Sequence, residues 1–435
     1  MSAGDIRFSS KKLLASSILV TIILLNISPI VNSENYSDNV TLTTNSNDEK
    51  ELHLLRVEHV LVLKAAEDAD TFNLRYVFPP DYQYQVPIFL EILDDSSANI
   101  LNYQIEDDIN EPNKVVNFTI GYMNKEDSVL IHFSCWVLVK NHEYCDLPEY
   151  VEFPKNCEEL PEDTKTWLSS TDVVQTESFL IKIKANQLRS VSNNLIRFAS
   201  KIAPFIKEHN YLLFVLQLNL GIFFSQDAIT TLLINGENVG RSHLGCALFR
   251  ANNVPARVLL ALPDQTFWTQ MHYMFEYYCP DYGWILIDPT RGKTPYEPRR
   301  QVINRVCYPS DENDTKADYI IPLMNGEERW LWINNENVYP YYVDCEEGSK
   351  SKMFSENKIT TDSFTADYTF LLTQIVFHQY EHCLGGDLVG ENLNHFQKAT
   401  CYQKQALSDL CTSVDPFEYI FLMDKAYNEY REIVI

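Results

Sequence analysis

The sequence predicts an α+β protein: an antiparallel β-sandwich on the N-terminal side, a mixed helix–strand core, and a C-terminal helical extension. Three observations carry that prediction. Short β-rich runs separated by Pro, Asp and Asn clusters fill residues 52–139, among them Leu55-Arg56-Val57-Glu58-His59-Val60-Leu61-Val62 and Val129-Leu130-Ile131-His132-Phe133, as antiparallel sandwich strands do. Between residues 236 and 290 a helical apolar pattern gives way to short strands bounded by Pro and Gly. From residue 364 onward helical periodicity is interrupted at Gly385-Gly386 and near Asp415-Pro416, which predicts three helices.

Along the chain, residues 1–33 read as a signal peptide or an N-terminal membrane anchor: Arg7, Lys11 and Lys12 precede an apolar run at 13–27. Residues 34–50 are a polar, disordered linker. The β-rich domain spans 51–160, ending in an acidic, Pro-punctuated loop from residue 145. The core spans 161–300, an irregular extension with strands 301–360, and the helical region 361–435. Leu188, Val191, Leu195, Phe198 and Ile202 fall at three-and-four spacing and predict one helix ending near Pro204. A second helix over 228–234 takes Ser225 as its N-cap.

The net charge of −25 disfavours nucleic acid and anionic lipid as partners. Ten cysteines and Asn-x-Ser/Thr sites at Asn35, Asn39, Asn117 and Asn313 suit an exported, disulfide-bearing glycoprotein. Cys145 and Cys157 are close enough in sequence to pair.

The central stretch is the most informative. Gly236 precedes an amphipathic run ending in Arg250-Ala251-Asn252-Asn253-Val254-Pro255-Ala256-Arg257. A strand starting at His272 follows, with Glu276 on it; a turn at Cys279-Pro280-Asp281-Tyr282-Gly283 then makes a hairpin with Gly283-Trp284-Ile285-Leu286-Ile287-Asp288-Pro289-Thr290. This passage resembles the core of the transglutaminase-like superfamily, which shares its chemistry with papain-type cysteine proteases. The resemblance implies a papain-like fold in which a Cys at a helix N-terminus attacks a carboxamide, with His272 as proton carrier and Asp288 orienting its ring. A helix N-terminus lowers a thiol's pKa, and such a base is held in one tautomer by its carboxylate.

Counted back from Arg257 by the family's spacing, the nucleophile falls on residue 238, which is Asn. An amide has no thiolate to offer, and losing the nucleophile of a triad costs on the order of a million-fold in turnover. Asn238 is a good N-cap residue, and a cap in place of a nucleophile is the expectation here. Cys246 is the substitute to consider, yet about 12 Å further along the same helix it is too far to meet the same base. Trp284 and Tyr282 are candidate walls of a binding pocket.

The sequence thus predicts a non-catalytic member that binds a peptide, protein or glycan in the former cleft, without a cofactor. One alternative is an active cysteine-dependent amidase, protease or protein-glutamine amine transferase with a displaced nucleophile. Another is a zinc peptidase, because His378-Gln379-Tyr380-Glu381-His382 fits H-x-x-E-H, with Glu391, His395 and Glu429 as candidate third ligands. The motif lies on an apolar stripe with Tyr368, Leu371 and Ile375, which predicts burial of both histidines. The acidic loop Asp311-Glu312-Asn313-Asp314, with Asp318, could hold calcium but lacks a dedicated loop's spacing.

Overall fold

The computed structural model describes residues 49–433 except 142–143, 145–146, 191–192, 210–223, 235, 264–271, 298–299, 314–330, 335–342, 346–349 and 387. The signal or anchor segment, the sites at Asn35 and Asn39, and Cys145 lie outside the described residues. Among the described residues no helix is long and apolar enough to cross a membrane.

Six strands come first: β1 (Glu49–Ala65), β2 (Phe72–Phe78), β3 (Gln85–Ile92), β4 (Ile100–Asp107), β5 (Lys114–Ile120) and β6 (Ser128–Lys140). The core follows with helices α1 (Phe179–Ser190), α2 (Leu195–Glu208), α3 (Ala228–Leu233) and α4 (Asn238–Arg250), then strands β7 (Ala256–Pro263), β8 (His272–Cys279), β9 (Gly283–Ile287) and β10 (Gln301–Val306). A one-turn helix, α5 (Pro309–Glu312), leads to β11 (Leu331–Asn334), β12 (Val343–Cys345) and β13 (Lys350–Asp362). Helices α6 (Ser363–Leu384), α7 (Gly390–Leu410) and α8 (Phe417–Arg431) close the chain.

The sandwich is the expected antiparallel one, and its strands come from both sides of the core in sequence. One sheet runs β12-β1-β6-β3 with β13 also on β1; the other runs β11-β2-β5-β4. The alternating pattern of β1 places every second side chain inward. Between the sheets Phe118 meets Phe133 at 5.2 Å and Tyr76 meets Phe133 edge-on at 5.9 Å. The extension after residue 301 therefore supplies three strands to the sandwich. Pairing across some three hundred residues leaves no local mark in sequence.

In the core, α4 lies on the sheet β10-β7-β8-β9 and is buried from Val239 to Arg250. Gly245 lets it approach closely, since a Cβ there would strike the Phe275 ring. The β8–β9 hairpin turns through Asp281 and Gly283 at positive φ. The single helix expected up to Pro204 is two, because the Asn194 side chain accepts from the N–H groups of Ile196 and Arg197 and starts α2 afresh. Pro204 sits inside α2 rather than ending it. Helix α3 is capped by Asp227, which accepts from Thr230 N–H, and not by Ser225.

Two side-chain amides join the sandwich to the core. Gln85 bonds both backbone groups of Ile303 at 2.8 Å, and Asn113 bonds both of Val306 at 2.7 and 2.8 Å. Each amide occupies one residue of the β10 edge as a further strand would, leaving those backbone groups satisfied.

The C-terminal helices dock on the sandwich. On α6 the docked face is Ala366, Phe370, Thr373, Phe377 and Tyr380, with Phe78 stacked on Phe377 and Tyr380 against Phe89. The stripe expected to be buried is the other one: Tyr368, Leu371 and Ile375 are 44%, 53% and 39% exposed. Both faces carry apolar periodicity, and the sandwich takes the one with more aromatic area. Cys135, Cys157, Cys246, Cys279, Cys307, Cys383, Cys401 and Cys411 are free, Cys157 being exposed.

Candidate active-site cleft

Strands β8 and β9 set the site. His272 is the first residue of β8, opposite Ala261, and Asp288 directly follows β9. Asp288 is almost fully buried, and its Oδ1 accepts from the N–H groups of Thr290 and Arg291 and from the Thr290 hydroxyl at 2.9, 3.1 and 2.6 Å. Its Oδ2 lies 3.4 Å from His272 Nε2 and 3.5 Å from Arg291 Nε. No aligned hydrogen bond reaches that oxygen, so the His–Asp contact is an ion-pair approach rather than a tight bond. Burial alone would raise the Asp288 pKa; His272, Thr290 and the Arg291 amide overcome it and hold the carboxyl at about 2.

The other ring nitrogen faces helix α4. Asn238 Nδ2 lies 3.5 Å from His272 Nδ1. With the ring proton on Nε2, toward Asp288, Nδ1 is an acceptor for the amide N–H. Asn238 is the first residue of α4, and the N-cap is Glu237, without a side-chain cap bond. This corrects the reading of Asn238 as the cap. Gln226 Oε1 accepts from Glu237 N–H at 2.8 Å and fixes the start of the helix. The Asn238 side chain, one residue into the helix, turns to the imidazole. Burial raises the pKa of Glu237, opposed by Arg241.

No described cysteine reaches this point. Cys246 is fully buried on α4, and burial pushes its thiol far above the usual range. Cys279 ends β8, seven residues or about 23 Å of strand from His272, and burial followed by the Asp281 charge pushes it up to about 12. Cys307 is bonded through its backbone to Val258 and is also buried. Thiols with raised pKa values in apolar surroundings are inert.

The cleft at His272 and Asp288 has a volume of about 760 Å³. Its far wall belongs to the sandwich: Glu51 and His53 from β1 and Lys358 from β13, which the register sets directly opposite His53. Arg300 and Gln301 of the core complete that side. None of these was singled out from the sequence, where nothing marks which strand faces the cleft.

Trp284 is not a wall of this cleft. It pairs with Tyr278 at the other end of β9, with the Arg257 guanidinium 3.8 Å from its ring and Trp167 against its edge. Tyr282 is exposed in the hairpin turn. Arg257 donates to Glu276 at 3.0 Å and to the Tyr82 hydroxyl, which donates to Glu276 at 2.5 Å. This cluster ties core to sandwich and is closed to solvent.

Among the described residues the candidate metal ligands are engaged with other partners. His378 gives its ring nitrogens to Glu381 at 2.9 Å and Asp81 at 3.1 Å, and Lys114 meets Glu381 at 2.9 Å. Among the described residues no group of His, Cys, Asp and Glu could hold a metal ion. His395 is bonded to Glu429 at 2.7 Å. The acidic loop is committed as well: Asp311 pairs with Arg305, and Glu312 is buried against Arg250 and Thr171. Asp314 and Asp318 lie outside the described residues.

The cleft thus sets an imidazole between a buried carboxylate and an amide at a helix N-terminus. Residues 189–289 match the model of the transglutaminase-like superfamily core, and this stretch is a transglutaminase-like domain. Two solved structures are similar. One is a proposed cysteine protease from Cytophaga hutchinsonii, with 15% identity and a TM-score of 0.48, covering 71% of this chain and 93% of that one. The other is the periplasmic domain of TgpA from Pseudomonas aeruginosa bound to ethylmercury, with 14% identity and a TM-score of 0.24, covering 55% of this chain and 90% of that one. No curated protein matches the chain.

Proposed function

We propose that this protein is a non-catalytic transglutaminase-like protein, exported by its N-terminal apolar segment, that binds a peptide in the cleft at His272. One observation carries the reading: the Asn238 amide occupies the position from which a thiolate would attack, 3.5 Å from the base. A carboxamide holds no nucleophilic electron pair to expel a leaving group. What stays is a pre-organised His–Asp pair and an open cleft, which suit recognition of a peptide amide.

Asn238→Cys tests this. The variant gains thiol-dependent hydrolysis or amine incorporation on a glutamine peptide, about a hundredfold or more above background, and loses it when His272 is also changed to Ala. Wild-type activity that iodoacetamide abolishes would instead establish the cysteine-dependent enzyme.

A further inference from the structure

The sandwich wall of the cleft has a chemistry of its own. His53 lines the cavity and is only 2% exposed. Its Nδ1 has no hydrogen-bond partner, and its Nε2 has only a 3.4 Å approach to Glu51 Oε2. Gln301 Oε1, on the same cavity, is equally buried and unpartnered. Buried polar atoms left unbonded are costly and uncommon, so two on one cavity wall point to a ligand that supplies what is missing.

The charges around these atoms say what kind. Arg300 and Lys358 stand close enough for their charges to bear on the His53 ring. Arg291, Lys293, Arg300 and Lys358 face Glu51, Asp288 and Glu297 across the cavity. In a chain where acids outnumber bases 60 to 35, a site where bases lead is a local reversal of sign. It selects for an anion. Gln301 Oε1 adds a second requirement, because it can only accept and the ligand must donate. A peptide offers both, a carboxylate and backbone N–H groups, whereas sulfate or chloride offers only acceptors.

Building on the reading of the cleft as a peptide site, we propose that His53, Arg300, Gln301 and Lys358 form a subsite for a peptide carboxylate next to the His272–Asn238 pair. The carboxylate belongs to an acidic side chain or to the C-terminus of the bound peptide. His53 and the two cations meet it, and Gln301 takes a backbone N–H. Lys358 is held by Glu51 at 2.9 Å, so Glu51 competes with the ligand for it.

Fluorescence anisotropy at low ionic strength tests the subsite, using a glutamine-containing octapeptide with a neutral fluorophore in three forms. One carries Glu near the glutamine and an amidated end, one has a free C-terminus and no Glu, and one has neither carboxylate. At least one acidic form binds about tenfold tighter than the neutral form, the scale of one charge-assisted hydrogen bond. The tighter acidic form identifies the source. Arg300→Gln and Lys358→Gln erase the preference, while Glu51→Gln increases it by freeing Lys358, a gain that misfolding cannot imitate. Equal binding of all three forms would overturn the subsite and leave the cleft reading standing. Failure of every form to bind, or binding of a hyaluronan hexasaccharide alone, would overturn both.

Discussion

Strand β8 carries two polar clusters four residues apart, and they have opposite characters. Around Glu276 the bonds are short and closed to solvent: Arg257 and the Tyr82 hydroxyl both donate to Oε2, and Trp284 covers the guanidinium. Around His272 the contacts are longer, at 3.4 and 3.5 Å, and the ring borders a cavity. The first cluster is buried and its charges are paired at bonding distance, although Glu276 Oε1 has no partner. The second keeps capacity in reserve, as groups that meet a ligand must. Bond length and access to a cavity together separate structural from functional charge, which residue type alone does not.

Removing a partner from the closed cluster has the largest effect on stability. Glu276→Ala leaves Arg257 buried and uncompensated, and costs about 3–5 kcal/mol in urea unfolding. A cost below about 1 kcal/mol would show that the cluster is not sealed. Asp288 in the open cluster acts through pH. Its folded pKa of about 2 lies below the unfolded value near 3.9, so the unfolded chain binds more protons between those pH values. The Asp288 contribution, about 2 kcal/mol, is complete above pH 4 and is lost as pH falls toward 2. Asp288→Asn removes that part of the acid slope, and an unchanged slope would place the carboxyl's pKa at its ordinary value. The smallest change comes from the seam between the two domains. Asn113→Ala leaves two buried backbone groups of Val306 unbonded, at a cost of about 1–3 kcal/mol, read as a lower unfolding midpoint.

The core was legible in sequence because its signals are local. A turn with Gly283 at positive φ, a helix exit at Arg250 and strand runs that start at His272 each mark themselves within a few residues. The His272–Asp288 pair was named through the family resemblance that those local motifs carry. What depends on distant pairing could not be read. Strand β13 returns to β1 and brings Lys358 opposite His53, which no window of sequence shows. Helix α6 misled because two of its faces are apolar, and only the docked sandwich decides between them. Asn238 was read as a helix cap from its type, whereas the cap position falls one residue earlier, at Glu237, and the Asn238 amide faces the base.

The central claim, that no thiol attacks from this cleft, has a direct measurement. Native protein is exposed to iodoacetamide at neutral pH, and each modified cysteine is located and timed by mass spectrometry, in wild type and in His272→Ala. Exposed Cys157 is labelled at the rate of a free thiol, while Cys246, Cys279 and Cys307 stay unmodified in both proteins. Rapid labelling of any cysteine in wild type that slows when His272 is removed would place a working nucleophile beside that base and contradict the account.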